Sequence, residues 1–283
     1  MPLDFTHNLS AVPDAINFPV EFEPTKVADK KYVINGDTGE YLGVVGHKFN
    51  CASHPDFFTD VQEAMTNHLT FSDWQNAKVN WRTARNGAWA FMDVVLPDVN
   101  VTINTDKHQT SLGQRLIALH GIDGSCSNMV FFGAIDFFCT NGQIIGTHDK
   151  VKRKNTANFS LDRFIRELSQ AKQDFYGEAA KLQKWAETSL VYVDVKALID
   201  KIVGGDRKAE KMFALYRNEV VTRGQNLFSL YSAFTNYATY ADERNGFVMR
   251  NTEHDTGAIT MFKREHEVAG WLESDAFKSL VTA

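Results

Sequence analysis

Apolar residues recur along the chain in two rhythms, and the change from one to the other falls near residue 155. Before it the pattern is short and strand-like. Residues 32–34 and 41–45 are β-rich runs on either side of Asn35-Gly36-Asp37-Thr38-Gly39-Glu40, residue types that tolerate the positive φ of a hairpin turn. Ser53 precedes Pro55 and then Phe57, Phe58, Val61, Met65 and Leu69, a spacing that predicts a capped amphipathic helix. Residues 77–85 and 88–96 form two more strands around Asn86-Gly87, the dipeptide best suited to a two-residue type I′ turn. That turn sets Ala84 opposite Trp89 and Arg82 opposite Phe91. Residues 99–105 alternate apolar and polar, and 114–121 and 127–138 flank Ile122-Asp123-Gly124-Ser125, so the strands continue as an antiparallel sheet.

After residue 155 the apolar spacing is helical. Ser160 is placed as an N-cap, and Leu161, Phe164, Ile165, Leu168, Ala171, Phe175, Ala179, Leu182 and Trp185 form the stripe of one long helix. Shorter helices are expected over 195–203 up to Gly204-Gly205, from an Asp206 cap, and over 227–241, with 249–262 irregular or extended and a last helix at 267–280. The first thirty residues hold Pro13, Pro19 and Pro24 with no sustained period and read as an arm over the surface. The expected fold class is α+β: an antiparallel β sheet in the N-terminal half, packed by a long helix and further helices in the C-terminal half. Its parts are an arm (1–30), a β-rich part with one helix (31–155) and a mainly helical part on the same core (156–283).

Composition adds exclusions. With 283 residues, 43% of them hydrophobic, the chain can bury a substantial core and belongs to no disordered class. Cys51, Cys126 and Cys139 leave an odd thiol with no close spacing, against a disulfide framework or clustered zinc site and for a reducing cytoplasm. No run approaches the roughly 20 apolar residues of a membrane helix, and no secretory leader is visible at the start. Residues 1–147 carry 9 basic and 16 acidic side chains, whereas 148–223 carry 16 and 11, so a polyanion would meet the second region first.

Two clusters point to such a partner. Arg82 beside Trp89 and Phe91 on one sheet face makes a platform for stacking and contacting a single strand, unless the two aromatics are core and Arg82 lies at its rim. The run His148-Asp149-Lys150-Val151-Lys152-Arg153-Lys154 leads into the long helix and can reach phosphates. Catalytic patterns are weaker. Gly142-Gln-Ile-Ile-Gly146 lacks the Lys-Ser/Thr of a phosphate loop, Cys139 reads as a small buried hydrophobe, and His120, Asp123 and Asp136 match no strong metal spacing.

The segments 37–46, Asn86-Gly87, His120-Gly-Ile-Asp-Gly-Ser125, Cys139-Thr-Asn-Gly142, Asn226 and Tyr231-Ser-Ala-Phe-Thr-Asn-Tyr237 resemble, in order, the phage/plasmid-like domain-of-unknown-function family 932. The resemblance runs from about Val33 to Tyr240. It implies a bacteriophage or mobile-element origin in a bacterial cytoplasm and a place among replication and recombination proteins. It supplies no catalytic residue. The α+β order is similar to that of phage single-strand annealing proteins, an analogy of fold.

The expectation is therefore a non-enzymatic, homo-oligomeric protein that binds or anneals single-stranded DNA, without cofactor or catalytic residue. Arg82, Arg85, Trp89, Lys150, Lys152, Arg153 and Lys154 would make the contacts. Two alternatives stand beside it: a metal-dependent enzyme on nucleic acid or nucleotide using His120, Asp123 and Asp136, and a phage protein that binds a host protein through the aromatic helix at 227–240.

Overall fold

A computed structural model describes residues 11–126, 128–136, 142–143, 151–153, 161–239, 243–244, 247–248 and 257–282. A short sheet opens the chain: β1 (Val20–Pro24), β2 (Lys30–Asn35) and β3 (Tyr41–Gly46), paired antiparallel in that order. α1 (His54–His68) follows, with the Ser53 side chain accepting from the Asp56 N–H and Pro55 in the first turn, as the cap signal demands. α2 (Phe71–Trp74) leads into the larger sheet of β4 (Lys78–Ala84), β5 (Trp89–Asn104), β6 (Gln109–Gly121), β7 (Asn128–Asp136) and β8 (Gly142–Gln143), with β9 (Val151–Arg153) also on β7. The second half holds α3 (Leu161–Glu187), α4 (Val195–Val203), α5 (Asp206–Arg223) and α6 (Leu227–Thr239). The small pair β10 (Glu243–Arg244) and β11 (Phe247–Val248) precedes α7 (Gly257–Leu272) and α8 (Asp275–Thr282).

The β4–β5 hairpin has the expected register, with Ala84 opposite Trp89 and Arg82 opposite Phe91. Asn86 and Gly87 sit at φ 53° and 82°, and the Ala88 N–H closes the turn onto Arg85 O at 2.9 Å. Arg85 at φ 56° precedes them, so three successive residues are left-handed, one more than the expected two-residue type I′ turn requires, and Gly87 adopts its part without steric cost.

Both faces of the large sheet are covered. Ala90, Met92, Val94, Leu116, Ala118 and Val130 share one buried cluster with Phe57, Phe58, Val61 and Met65 of α1, Phe175, Leu182 and Trp185 of α3, and the apolar residues of α6. Trp89, Phe91, Ile117, Leu119 and Met129 belong to the opposite cluster, closed by Phe18, Ala84, Ala88 and Ile122, with Val20, Leu42 and Ile259 packed against it.

Several expectations are corrected. The first thirty residues are not simply an arm: Val20–Pro24 is a strand of the small sheet, and Ile16 is fully buried. The alternation of Val20 and Phe22 with Glu21 and Glu23 is a genuine period of two, too short between Pro19 and Pro24 to stand out. The strand expected at 99–105 is continuous with β5, because the chain absorbs Pro97 in a register shift between Leu96 and Asn100. Gly205, not Asp206, occupies the N-cap of α5. Residues 257–262, expected to be irregular or extended, open helix α7, and the expected last helix at 267–280 is divided between α7 and α8; 249–256 lie outside the described residues. The β-branched Ile259 and Thr260 of α7 weaken the helical signal that tertiary packing then overrides. The cap at Ser160 lies outside the described residues.

Candidate functional site

The chemistry-bearing residues gather at the end of the large sheet where the β4–β5 and β6–β7 turns meet. His54 opens α1, and His120 lies near the end of β6, opposite Ala90. Both are fully buried, and their Nδ1 atoms are 2.8 Å apart. His54 Nε2 is 2.8 Å from the Gly87 carbonyl oxygen. A carbonyl oxygen only accepts, so His54 carries its proton on Nε2 and accepts on Nδ1; His120 therefore donates from Nδ1 and is bare at Nε2. That last atom has no hydrogen-bond partner among the described residues. Phe57 stacks on the His120 ring with centroids 4.4 Å apart and planes 9° from parallel, and Phe58 closes in edge-on.

The surroundings keep both rings neutral. Burial lowers His54 to about 4, against smaller opposing effects of the Gly87 hydrogen bond and Asp123. Burial and the neighbouring His54 push His120 well below its ordinary value. A second proton on His54 would also set two donors against each other between the Nδ1 atoms, and one on His120 would sit on the buried Nε2, which has no acceptor among the described residues.

Asp123 is the second node. Its carboxylate accepts from Arg85 at 2.7 Å, Trp89 Nε1 at 3.2 Å, the Ser125 N–H at 2.9 Å and the Ser125 hydroxyl at 2.6 Å. Ser125 Oγ also accepts from Trp89 Nε1 and Arg85. Gly43 lies directly against this loop: a Cβ there would fall 2.9 Å from Asp123 Cβ, so β3 needs glycine to approach. Asp123 thus joins the β4–β5 turn and the β6–β7 loop through its carboxylate and lies against β3 through its Cβ and backbone. Cys51 and Cys126 flank it, and burial pushes both thiols up to about 12, which suits packing and disfavours a reactive thiolate.

Of the residues expected to contact nucleic acid, Arg85 is half exposed and bonded to Asp123. Trp89 is 7% exposed, its ring in the second core cluster and its N–H held by Asp123 and Ser125. The aromatic platform is therefore closed rather than open, because Phe18, Val20 and Leu42 from the first residues lie over it. Arg82 occupies the β4 edge of the sheet, opposite Phe91. Lys152 and Arg153 are in β9, opposite Met129 and Asn128. Lys150, Lys154 and Cys139 lie outside the described residues.

The metal triad is corrected. Asp136 pairs with Leu112, eight residues along β6 from His120, a separation of about 27 Å at strand rise. Asp123 is instead saturated by donors. The aromatic helix α6 is corrected as a host-binding surface: Leu227, Phe228, Leu230, Tyr231 and Phe234 are fully buried, because they fill the core beneath α3. Sequence reasoning missed His54. The signal was its place between the Ser53 cap and Phe57, which puts an imidazole at the first turn of a core-facing helix.

No helix among the described residues is long and apolar enough to cross a membrane. Neither the curated proteins nor the solved structures contain a significant match. A family profile, by contrast, matches residues 41–266, a span that takes in β3, both histidines, the Asn86-Gly87 turn and the Asp123 node. The chain belongs to the family described as domain of unknown function 932.

Proposed function

We propose that this protein binds single-stranded DNA through phosphate contacts, without catalysis, in the replication or recombination of a mobile element in a bacterial cytoplasm. The observation that carries this reading is a row of paired positions across five strands: Arg82, Phe91, Leu119, Met129 and Lys152, one each from β4, β5, β6, β7 and β9. Basic positions stand at both ends of the row, about 19 Å apart at ordinary strand spacing. Arg85 and Arg153 are close to those ends, so four basic residues from two distant stretches of sequence gather at one end of one sheet. A backbone-tracking polyanion needs local positive charge, and the net charge of −5 does not oppose it.

The buried Trp89 changes how the strand is held. Stacking on this sheet face is replaced by phosphate contact, which reads charge and not base identity. Arg85 shares its charge with Asp123 and serves to orient more than to attract.

The test is fluorescence anisotropy of a labelled single-stranded oligonucleotide at two salt concentrations, with the matching duplex alongside. Expected is salt-sensitive binding that favours the single strand. The Lys152→Ala, Arg153→Ala pair then lowers the salt slope by about 0.7 for each phosphate that the variant no longer neutralises. Absence of binding at low salt sinks the proposal, and an unchanged slope removes β9 from it.

A further inference from the structure

A second basic group lies on the helices. Tyr237 of α6 has three cations around it: the Arg264 guanidinium of α7 stands 4.6 Å from its ring centroid, and the Lys211 and Lys208 ammonium groups of α5 stand at 5.7 and 6.0 Å. Groups no farther than 6.0 Å from one point are at most about 12 Å from each other, close to the Debye length of about 10 Å in 0.1 M salt. Each cation therefore feels the others, and an anion that spans them is favoured accordingly. The ring contacts hold these side chains in place without cancelling their charge. Glu267 of α7 bonds to Lys208 and accepts from the Tyr237 hydroxyl at 3.0 Å, which orients both. Burial, with Glu267 adding to it, pushes that hydroxyl up to about 12, so it stays a donor.

The charges of α5 are sorted around its axis. At about 100° per residue, Arg207, Lys208 and Lys211 share an arc of about 100°, and Asp206 and Glu210 fall outside it. Arg207 and Lys211 are exposed, as is Lys263 beside Arg264 on α7. Glu265, the acid next to Arg264, is turned into the sheet toward Arg115.

Helix α7 links this group to the basic row of the sheet. It packs against β4, and its Ile259 meets the cluster that contains Phe91, the residue opposite Arg82. Six residues on, Glu265 reaches Arg115, which is bonded to Asp93, two residues along β5 from Phe91. Lys263 and Arg264 lie between those two anchors, so α7 carries basic charge from the Arg82 end of the row toward α5.

We propose that a single strand bound at the Arg82 end of the sheet continues over α7 and α5, its phosphodiester groups contacting Lys263, Arg264, Lys208, Lys211 and Arg207. This inference rests on the single-strand reading above and extends it from the sheet to the helices. Phosphate is the group that is read, because Arg264 lies over the Tyr237 ring and Glu267 takes its hydroxyl.

The test is fluorescence anisotropy of a labelled single-stranded oligonucleotide across a salt series. Wild type is compared with a triple variant, Arg207→Gln, Lys211→Gln, Lys263→Gln. A control triple, Lys26→Gln, Lys48→Gln, Lys196→Gln, removes the same charge elsewhere. All six side chains are exposed, so both variants keep the fold, and an unchanged circular dichroism spectrum checks this. The helix triple is expected to bind more weakly, with a salt slope lower by about 0.7 for each phosphate it no longer neutralises, up to about 2 for all three. The control is expected to keep the wild-type slope. A helix triple with the wild-type slope, or a control that falls as far, overturns this inference and leaves the sheet row standing. Wild type that does not bind at low salt overturns both.

Discussion

The most constrained residues in this protein are two imidazoles that each hold a single proton. His54 and His120 are buried and linked nose to nose, with the Gly87 carbonyl fixing which nitrogen carries hydrogen. Their protonation is therefore coupled to folding. An unfolded histidine takes up its proton below about pH 6.5, while folded His54 resists to about 4 and folded His120 is held well below its ordinary value by burial and by His54. Between those values the unfolded chain binds more protons, so stability is full above pH 6.5 and falls as pH falls. Each residue adds a slope of up to about 1.4 kcal/mol per pH unit. Urea denaturation at a series of pH values should show this decline, and the His54→Phe, His120→Phe variant should show a shallower one. An equal slope in both proteins would place the acid sensitivity elsewhere. His120 and Asp123 were visible in the sequence as a motif, but their partners were not. No local pattern says that the first turn of α1 will meet β6, or that Gly43 will let β3 close on Asp123.

At the scale of elements, helix α7 is fastened to the sheet by charge. Arg115 projects from β6 and is 2% exposed; it donates to Asp93 at 2.7 and 2.8 Å and to Glu265 of α7 at 2.8 Å. Burial pushes the Glu265 carboxyl up, and Arg115 pulls it down. Breaking such a group is costly because the carboxylates stay behind, while replacing all of it with apolar side chains is often neutral. Arg115→Met should therefore cost about 3–5 kcal/mol in urea denaturation, and adding Asp93→Leu and Glu265→Leu should recover most of that stability. A triple variant no more stable than the single one would contradict this account. The same fastening explains why α7 escaped the sequence reading. Its start is poor in helix formers, and what holds it is a contact 150 residues away in the chain. The strong local signals succeeded by contrast: the Ser53 cap, the Asn86-Gly87 turn with its register, and the stop at Gly204 each act within a few residues.

The whole molecule is legible as a class and illegible as an arrangement. Alternating then helical periods give an α+β chain with an antiparallel sheet first, and that is the architecture. The sequence shows that Trp89 and Phe91 share a face, yet not that the opening residues return to cover it. The larger core cluster joins α1 and the central strands to α3 and α6, so the two halves of the chain depend on each other. Far-ultraviolet circular dichroism and tryptophan fluorescence should therefore trace one coincident unfolding transition. Separate midpoints would show halves that stand alone.

The row from Arg82 to Lys152 belongs to a sheet whose two faces both lie against other layers, and this governs which changes of length the gene can accept. Side chains alternate between the faces, so deleting one residue inside β6 would carry Leu119 and its neighbours to the wrong layer. Neither layer offers water in which the error could be tolerated. The strands of this sheet can change letter far more easily than they can change count, and insertions are confined to the turns between them.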